Sequence, residues 1–260
     1  MKIKTIILSF TLLTVSTTLA VLFMYFDSIK TAALKEDQIV SESYTKSIEN
    51  TVSQMISRYH RIALSLSRHK ELSIALTATS EKNLNSANQI LDLYNSSMQT
   101  SVCYLLNSDG LVIASSNRND TDSFVEKDYS FRPYYTKSNK GDPFVYMALG
   151  VTSGKRGIYF SSPIYASDSN TIIGVSVIKE DVEKIENEII SMHYPSHLGH
   201  RGFLFISNED GLIFISGQKK MLFHTVWQID ENKIKNIVAS MQFGKGPWPW
   251  AGFKKKAKKK

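Results

Sequence analysis

The chain carries a single cysteine, Cys103. An internal disulfide and a thiolate zinc cluster are therefore excluded. Proline is scarce as well, six in 260 residues, and neither proline nor glycine occurs before Gly110. The first hundred residues thus lack the usual helix breakers. A basic body is also missing, although the formal net charge is +7. Six of the lysines fall within residues 254–260, and without them 25 bases face 24 acids, a net of +1. No phosphoacceptor histidine box, nucleotide-binding region or Gly-Gly-Asp-Glu-Phe motif is present, so no catalytic constellation is visible. With 42% hydrophobic and 21% charged residues the chain is not a wholly disordered one. At 29.4 kDa it has room for one large domain or two small ones, and is too short for a receptor plus a full catalytic module.

What is present begins with a membrane-length run. Ile6 to Phe26 is 21 residues without a charge. As a helix it spans about 30 Å, one bilayer core. Lys2 and Lys4 precede it and Asp27 follows, so the positive-inside rule leaves residues 1–5 in the cytoplasm and exports the rest. The competing possibility is a cleaved signal peptide. The apolar run exceeds the usual length of one, and the small-residue candidate site at 16–20 is followed by more apolar sequence, which favours an uncleaved anchor. No second such run follows. The expectation is a single-pass protein of a bacterial inner membrane, with the bulk of the chain in the periplasm or outside the cell. Given export, no nucleic-acid partner is expected.

From Ser28 to about Arg68, Ile48, Val52, Met55, Ile56, Tyr59, Ile62, Ala63 and Leu66 recur at steps of three and four, a helical stripe. It reads as packing or as the seam of a homodimer. A second helix is expected from about Leu84 to Met98, with the polar stretch 80–88 as the turn between them. The character then changes to strands. Two short apolar runs, 102–106 and 111–115, flank Asn107-Ser108-Asp109-Gly110, a hairpin signal. The unit returns 101 residues later, around Asn208-Glu209-Asp210-Gly211. Two similar domains in tandem are implied. Between them stand strand candidates 144–149, 157–163 and 172–178, then a charged helix, 181–192. Helix, hairpin and three-stranded meander read as an α/β sensor-type domain with an antiparallel sheet.

Tyr129-Ser130-Phe131-Arg132-Pro133-Tyr134-Tyr135 sets an arginine among four aromatics, with Arg132 held extended by Pro133. The small, hydroxyl-rich turn 148–157 could let backbone N–H groups approach an anion. The apolar strand 172–179 ends in Lys179. One arginine, one lysine and this turn could hold two carboxylates at opposite ends of a small pocket, the planar guanidinium suiting one of them. Taken singly, Arg132 fits a surface ion pair and Lys179 a snorkelling strand end.

In this order the segments resemble the double Cache sensor domain of C4-dicarboxylate sensor histidine kinases. The likeness covers about residues 28 to 243 and is most specific over 129–186. It implies a long N-terminal helix beside two tandem PAS-like (Cache) antiparallel-sheet domains, preceded by one transmembrane helix. It implies that a dicarboxylate such as succinate, malate or fumarate is gripped by Arg132 and Lys179, with hydrogen bonds from Thr152 and the backbone near Gly154. Tyr129 and Phe131 would wall the pocket, while Tyr134, Tyr135, Tyr146 and Tyr159 would be core or rim. The expected division is a cytoplasmic start at 1–5, an anchor at 6–26, stalk and bracing helices at 27–100, a membrane-distal ligand-binding domain at 101–192, an incomplete membrane-proximal domain at 193–245 and a lysine-rich tail at 246–260. Membrane-bound diguanylate cyclases and chemoreceptors carry similar sensors, so the likeness marks input better than output. Two departures stand out. Lys155 and Arg156 make the turn unusually cationic, with consequences for ligand choice. The family also continues into a second membrane helix and a kinase, and the sequence after Phe243 matches nothing expected of it, as from a truncated or frameshifted reading frame.

Other motifs fall short. Residues 150–155 are one residue too few for a phosphate loop, with Arg156 where a hydroxyl should bind magnesium. Nor do they match Gly-x-Ser-x-Gly. His193, His197 and His200 could approach one metal, but Pro195 and Gly199 disfavour a shared helix, and an interdomain linker is the better account. No metal or cofactor is expected. The lysine tail reads as solvated, and Cys103, within a strand pattern, as a buried small residue.

Overall fold

The computed structural model describes residues 2–167, 169–193 and 204–253. The His193–His200 metal set and the lysines of the tail lie outside the described side chains. Two compact units are present, residues 1–51 and 52–260. The described residues of the first, 2–51, are helical and belong to α1, Lys2–Ser67, which has the only segment among the described residues long and apolar enough to cross a membrane. Its Thr11, Thr14, Thr17 and Thr18 hydroxyls bond back to carbonyls three or four residues earlier. That satisfies them without water.

The second unit begins with the stripe on the last turns of α1. Met55, Tyr59, Ala63 and Leu66 are buried, so that face is packing. Two helices follow, α2 (Lys70–Thr77) and α3 (Glu81–Met98). The stretch expected as a turn is helical from Glu81 onward, because the Ser80 hydroxyl caps α3 by accepting from the Asn83 N–H (3.3 Å). The turn is confined to 78–80.

Five strands form the first sheet: β1 (Val102–Asn107), β2 (Val112–Ser115), β3 (Phe144–Leu149), β4 (Arg156–Tyr165) and β5 (Ile172–Asp181). Their order is β2-β1-β5-β4-β3, all antiparallel. The short helix α4 (Pro133–Ser138) comes between β2 and β3, and α5 (Val182–His193) follows β5. Strand alternation divides the sheet into two faces. One carries Cys103, Leu105, Phe160, Ile178 and Glu180 and packs on the helices, with Tyr59 stacked on Phe160 at 5.0 Å. The other carries Tyr104, Tyr146, Tyr159, Val177 and Lys179, which join Phe124, Tyr129 and Tyr134 in an aromatic core.

The second sheet pairs β6 (Phe205–Ser207) with β7 (Ile213–Ser216), followed by α6 (Glu231–Ala239). The repeated hairpins share one geometry. In each, the Asn carboxamide oxygen accepts the N–H four residues on, and the glycine adopts a positive φ, 85° at Gly110 and 83° at Gly211. Residues beyond 243 also enter the fold. Thr225 N–H donates to Pro249 O and Ala251 N–H to Thr225 O, both 2.9 Å, a short parallel pairing.

Candidate functional site

The aromatic face of the first sheet encloses a narrow cavity, with about 10 Å3 of free space, lined by Phe124, Tyr129, Arg132, Tyr134, Gly150, Val151, Thr152 and Tyr159. That is room for about one water molecule, so any larger occupant requires the walls to part. A roomier depression of about 360 Å3 beside Arg61, Arg68 and His69 is open to solvent and lies on the helical side, away from this chemistry.

Each wall has a local cause. Tyr129 N–H donates to Gly110 O (2.9 Å), fastening the segment to the first hairpin. Arg132 is extended (φ −76°, ψ 135°) because a proline follows, and Pro133 opens α4 at once. The helix is seated on β4 through Ser161 Oγ, which donates to Tyr134 O and shares a hydrogen bond with Ser138 Oγ. Phe124 comes from an irregular loop organised by Asn117, whose carboxamide oxygen accepts from Ser115 Oγ and from Phe124 N–H. The turn after β3 closes on itself through Gly150 N–H to Lys155 O and Gly154 N–H to Gly150 O, each 2.8 Å. A Cβ on Gly150 would stand 2.6 Å from Ser153 Oγ and 3.1 Å from the Tyr159 hydroxyl, so a larger residue would have to displace Ser153.

Arg132 dominates the electrostatics. It is 2% exposed, and no carboxylate among the described residues forms an ion pair with it. Its guanidinium donates to Leu149 O (3.0 Å) and Met241 O (3.3 Å) and stacks on Phe131 at 5.2 Å. Two carbonyls and a ring face leave its charge without a described acid to balance it, a burial that an anion would offset. Around it the phenols remain protonated donors. Burial pushes Tyr159 well up, and the nearby Arg132 only partly offsets this. Tyr104 and Tyr134 are raised well above the usual tyrosine range, chiefly by burial. The Tyr129 hydroxyl is also raised by burial and shares a 2.8 Å hydrogen bond with Thr152 Oγ1.

The structure brings Tyr129, Arg132 and Thr152 together around the cavity. Phe131, expected as a wall, is 42% exposed and lies behind the guanidinium. Gly154, expected to contribute nearby backbone to a ligand, is not among the cavity-lining residues, and its N–H donates to Gly150 O inside the turn. Lys179 stands one side chain back, its ammonium 6.0 Å from the Phe124 ring and 2.7 Å from Asp181 Oδ1. Arg156 does not add charge to the pocket. Alternation along β4 turns it to the opposite face, where Glu186 holds it at 2.8 Å. Tyr134 and Tyr159, assigned to core or rim, are cavity walls as well as core. Tyr159 was recoverable, since it is the cross-strand partner of Lys179. Phe124, in an irregular loop, left no periodic signal.

A family model described as "Cache domain" matches residues 27–256, nearly the whole chain after the apolar run. The chain belongs to the Cache domain family. The match extends past Phe243, so most of the segment that the sequence set apart is family territory. The sensor domain of the Vibrio cholerae histidine kinase DctB, solved by crystallography, superposes with a TM-score of 0.73 at 30% identity, covering 86% of this chain and 82% of that one. A C4-dicarboxylate transport sensor protein DctB of Pseudomonas aeruginosa is 38% identical over 123 residues, 47% of this chain and 18% of that protein. Its Rhizobium meliloti counterpart is 25% identical over 193 residues, 74% of this chain and 30% of that protein. The chain thus spans less than a third of the curated relatives that it matches. It is a Cache sensor domain of the DctB family, with the long helix and antiparallel PAS-like sheets of that fold. The ligand-binding domain of the Campylobacter jejuni chemoreceptor Tlp3, at 22% identity and a TM-score of 0.55, shares the fold alone.

Proposed function

We propose that this chain is the extracytoplasmic input of a longer, membrane-anchored two-component sensor, and that its cavity takes a small dicarboxylate of the succinate, malate or fumarate type. The observation that carries this is Arg132, a buried guanidinium facing a small cavity, bonded to two carbonyls and paired with no acid among the described residues. One carboxylate would pair with Arg132 and be bonded by the Tyr129 and Thr152 hydroxyls. The other would lie toward Lys179. Names of relatives support the same ligand class, as C4-dicarboxylate sensors. The apolar run 6–26 would anchor the protein in the inner membrane, with residues 27–260 in the periplasm as part of a homodimer.

Two connections would carry binding outward. Arg132 reaches Met241, in the segment that edges β3 through Leu149 N–H to Gln242 O and Gln242 Nε2 to Met147 O, both 2.7 Å. A carboxylate that draws the guanidinium inward would loosen its grip on Met241. Arg156 ties β4 to α5 and β7 through Glu186 and Phe214 O. The two states shift in population only as far as the ligand prefers one of them.

The test is calorimetry of the full chain in detergent micelles against succinate, malate and fumarate. Charge-assisted bonds contribute about 1.5–3 kcal/mol each, so Arg132→Ala should weaken binding by roughly tenfold or more. No heat with any of the three acids, or equal affinity in Arg132→Ala, would overturn the assignment.

A further inference from the structure

Lys179 has a partner, and that partner alters what the site can recognise. Its side chain is 3% exposed, and its ammonium lies 2.7 Å from Asp181 Oδ1. Two residues apart on β5, both side chains point to the cavity face. Asp181 is opposite Gly157, which has no side chain, and Lys179 fills the space above that glycine: a Cβ there would come within 3.0 Å of Lys179 Cε. The carboxylate is therefore held against the ammonium rather than swung into solvent, with 31% of its side chain exposed. The Asp181 backbone is fixed independently, its N–H donating to Ser101 Oγ at 2.8 Å.

Charge accounting follows. With the phenols protonated, the site holds Arg132 and Lys179 as cations and Asp181 as an anion, a net of +1. A monoanion neutralises it, whereas a dianion must bring its second carboxylate to an ammonium that already has one. We propose that Asp181 is a specificity-determining residue, which sets how strongly the site favours a dianion over a monoanion by sharing Lys179 with the ligand. This rests on the dicarboxylate reading of the same cavity. Two carboxylates about 6 Å apart around one ammonium, in a partly exposed site, repel by more than 1 kcal/mol, enough for roughly tenfold in affinity.

The experiment compares succinate with succinamate, in which one carboxylate becomes a neutral amide of the same shape. Both are titrated calorimetrically into the full chain and into Asp181→Asn, which keeps an acceptor for Lys179 and removes the charge. The expected result is a roughly tenfold gain for succinate in Asp181→Asn, with succinamate within twofold. Equal shifts for both ligands, or weaker succinate binding by a variant whose thermal melt matches the unaltered protein, overturn the role of Asp181 alone. An unaltered protein that binds neither ligand overturns the dicarboxylate reading and this inference with it.

Discussion

Removing the Arg156 guanidinium should destabilise the whole sheeted unit. Arg156 and Glu186 form a bidentate pair, 3.1 and 2.8 Å, with side chains 9% and 3% exposed. The pair is also stitched to the second sheet: Arg156 donates to Phe214 O, and Glu186 Oε1 accepts from Ser216 N–H at 2.8 Å. Arg156→Met preserves the apolar stem and leaves the Glu186 carboxylate buried with a single N–H donor. Breaking one side of a buried pair costs about 3–5 kcal/mol, most of it the stranded charge. For a unit of this size, that lowers the melting temperature by roughly 6–20 °C. The measurement is thermal melting followed by circular dichroism, on the full chain in micelles. Arg156→Met/Glu186→Leu should be milder than Arg156→Met, because an apolar pair strands no charge. A single variant that melts within about 2 °C of the parent, below the effect of even 1 kcal/mol, would refute the reasoning. So would a double variant less stable than the single one.

Glu180 gives a pH dependence. Burial raises its carboxyl above the usual 4.5, against the lowering effects of Lys184 at 2.9 Å and of Ser101 N–H at 3.1 Å. A folded value above the unfolded one means that the folded state holds its proton more tightly. This contribution is complete below pH 4.5 and is lost as the pH rises through the folded value. Glu180→Gln should therefore melt higher than the parent at pH 7, and the gain should vanish by about pH 4.5; a gain that is equal at both would refute this. Cys103 is fully buried, and burial pushes its thiol up to about 12. Alkylation at pH 8 should be slow in the folded protein and rapid after urea unfolding. Fast labelling of the folded chain would contradict its placement.

Several features were legible from local pattern because local chemistry dictates them. Strand β3 falls on the expected 144–149, set by an apolar run between turn residues. The two Asn-x-Asp-Gly hairpins repeat because each is closed by its own carboxamide and a positive-φ glycine. Arg132 is extended because proline follows it. Other features were not. Residues 81–88 are too polar to read as helix, and only Ala87 and Leu91 of α3 are buried, so its stability comes from what it packs against. Phe124 enters the cavity from an irregular loop that Asn117 shapes.

The sequence alone determined the apolar membrane-length run, the order of elements, the tandem hairpins and the family likeness, since each rests on neighbours within a few residues. It also singled out Arg132 and Lys179. Only the tertiary structure decided what these charges meet. Pleating sends Arg156 away from the pocket while Lys179 faces it, and Arg132 is left without an acid among the described residues while Lys179 is given to Asp181. The pairing of a charge depends on which groups from distant segments share its low-dielectric surroundings, and no local pattern contains that.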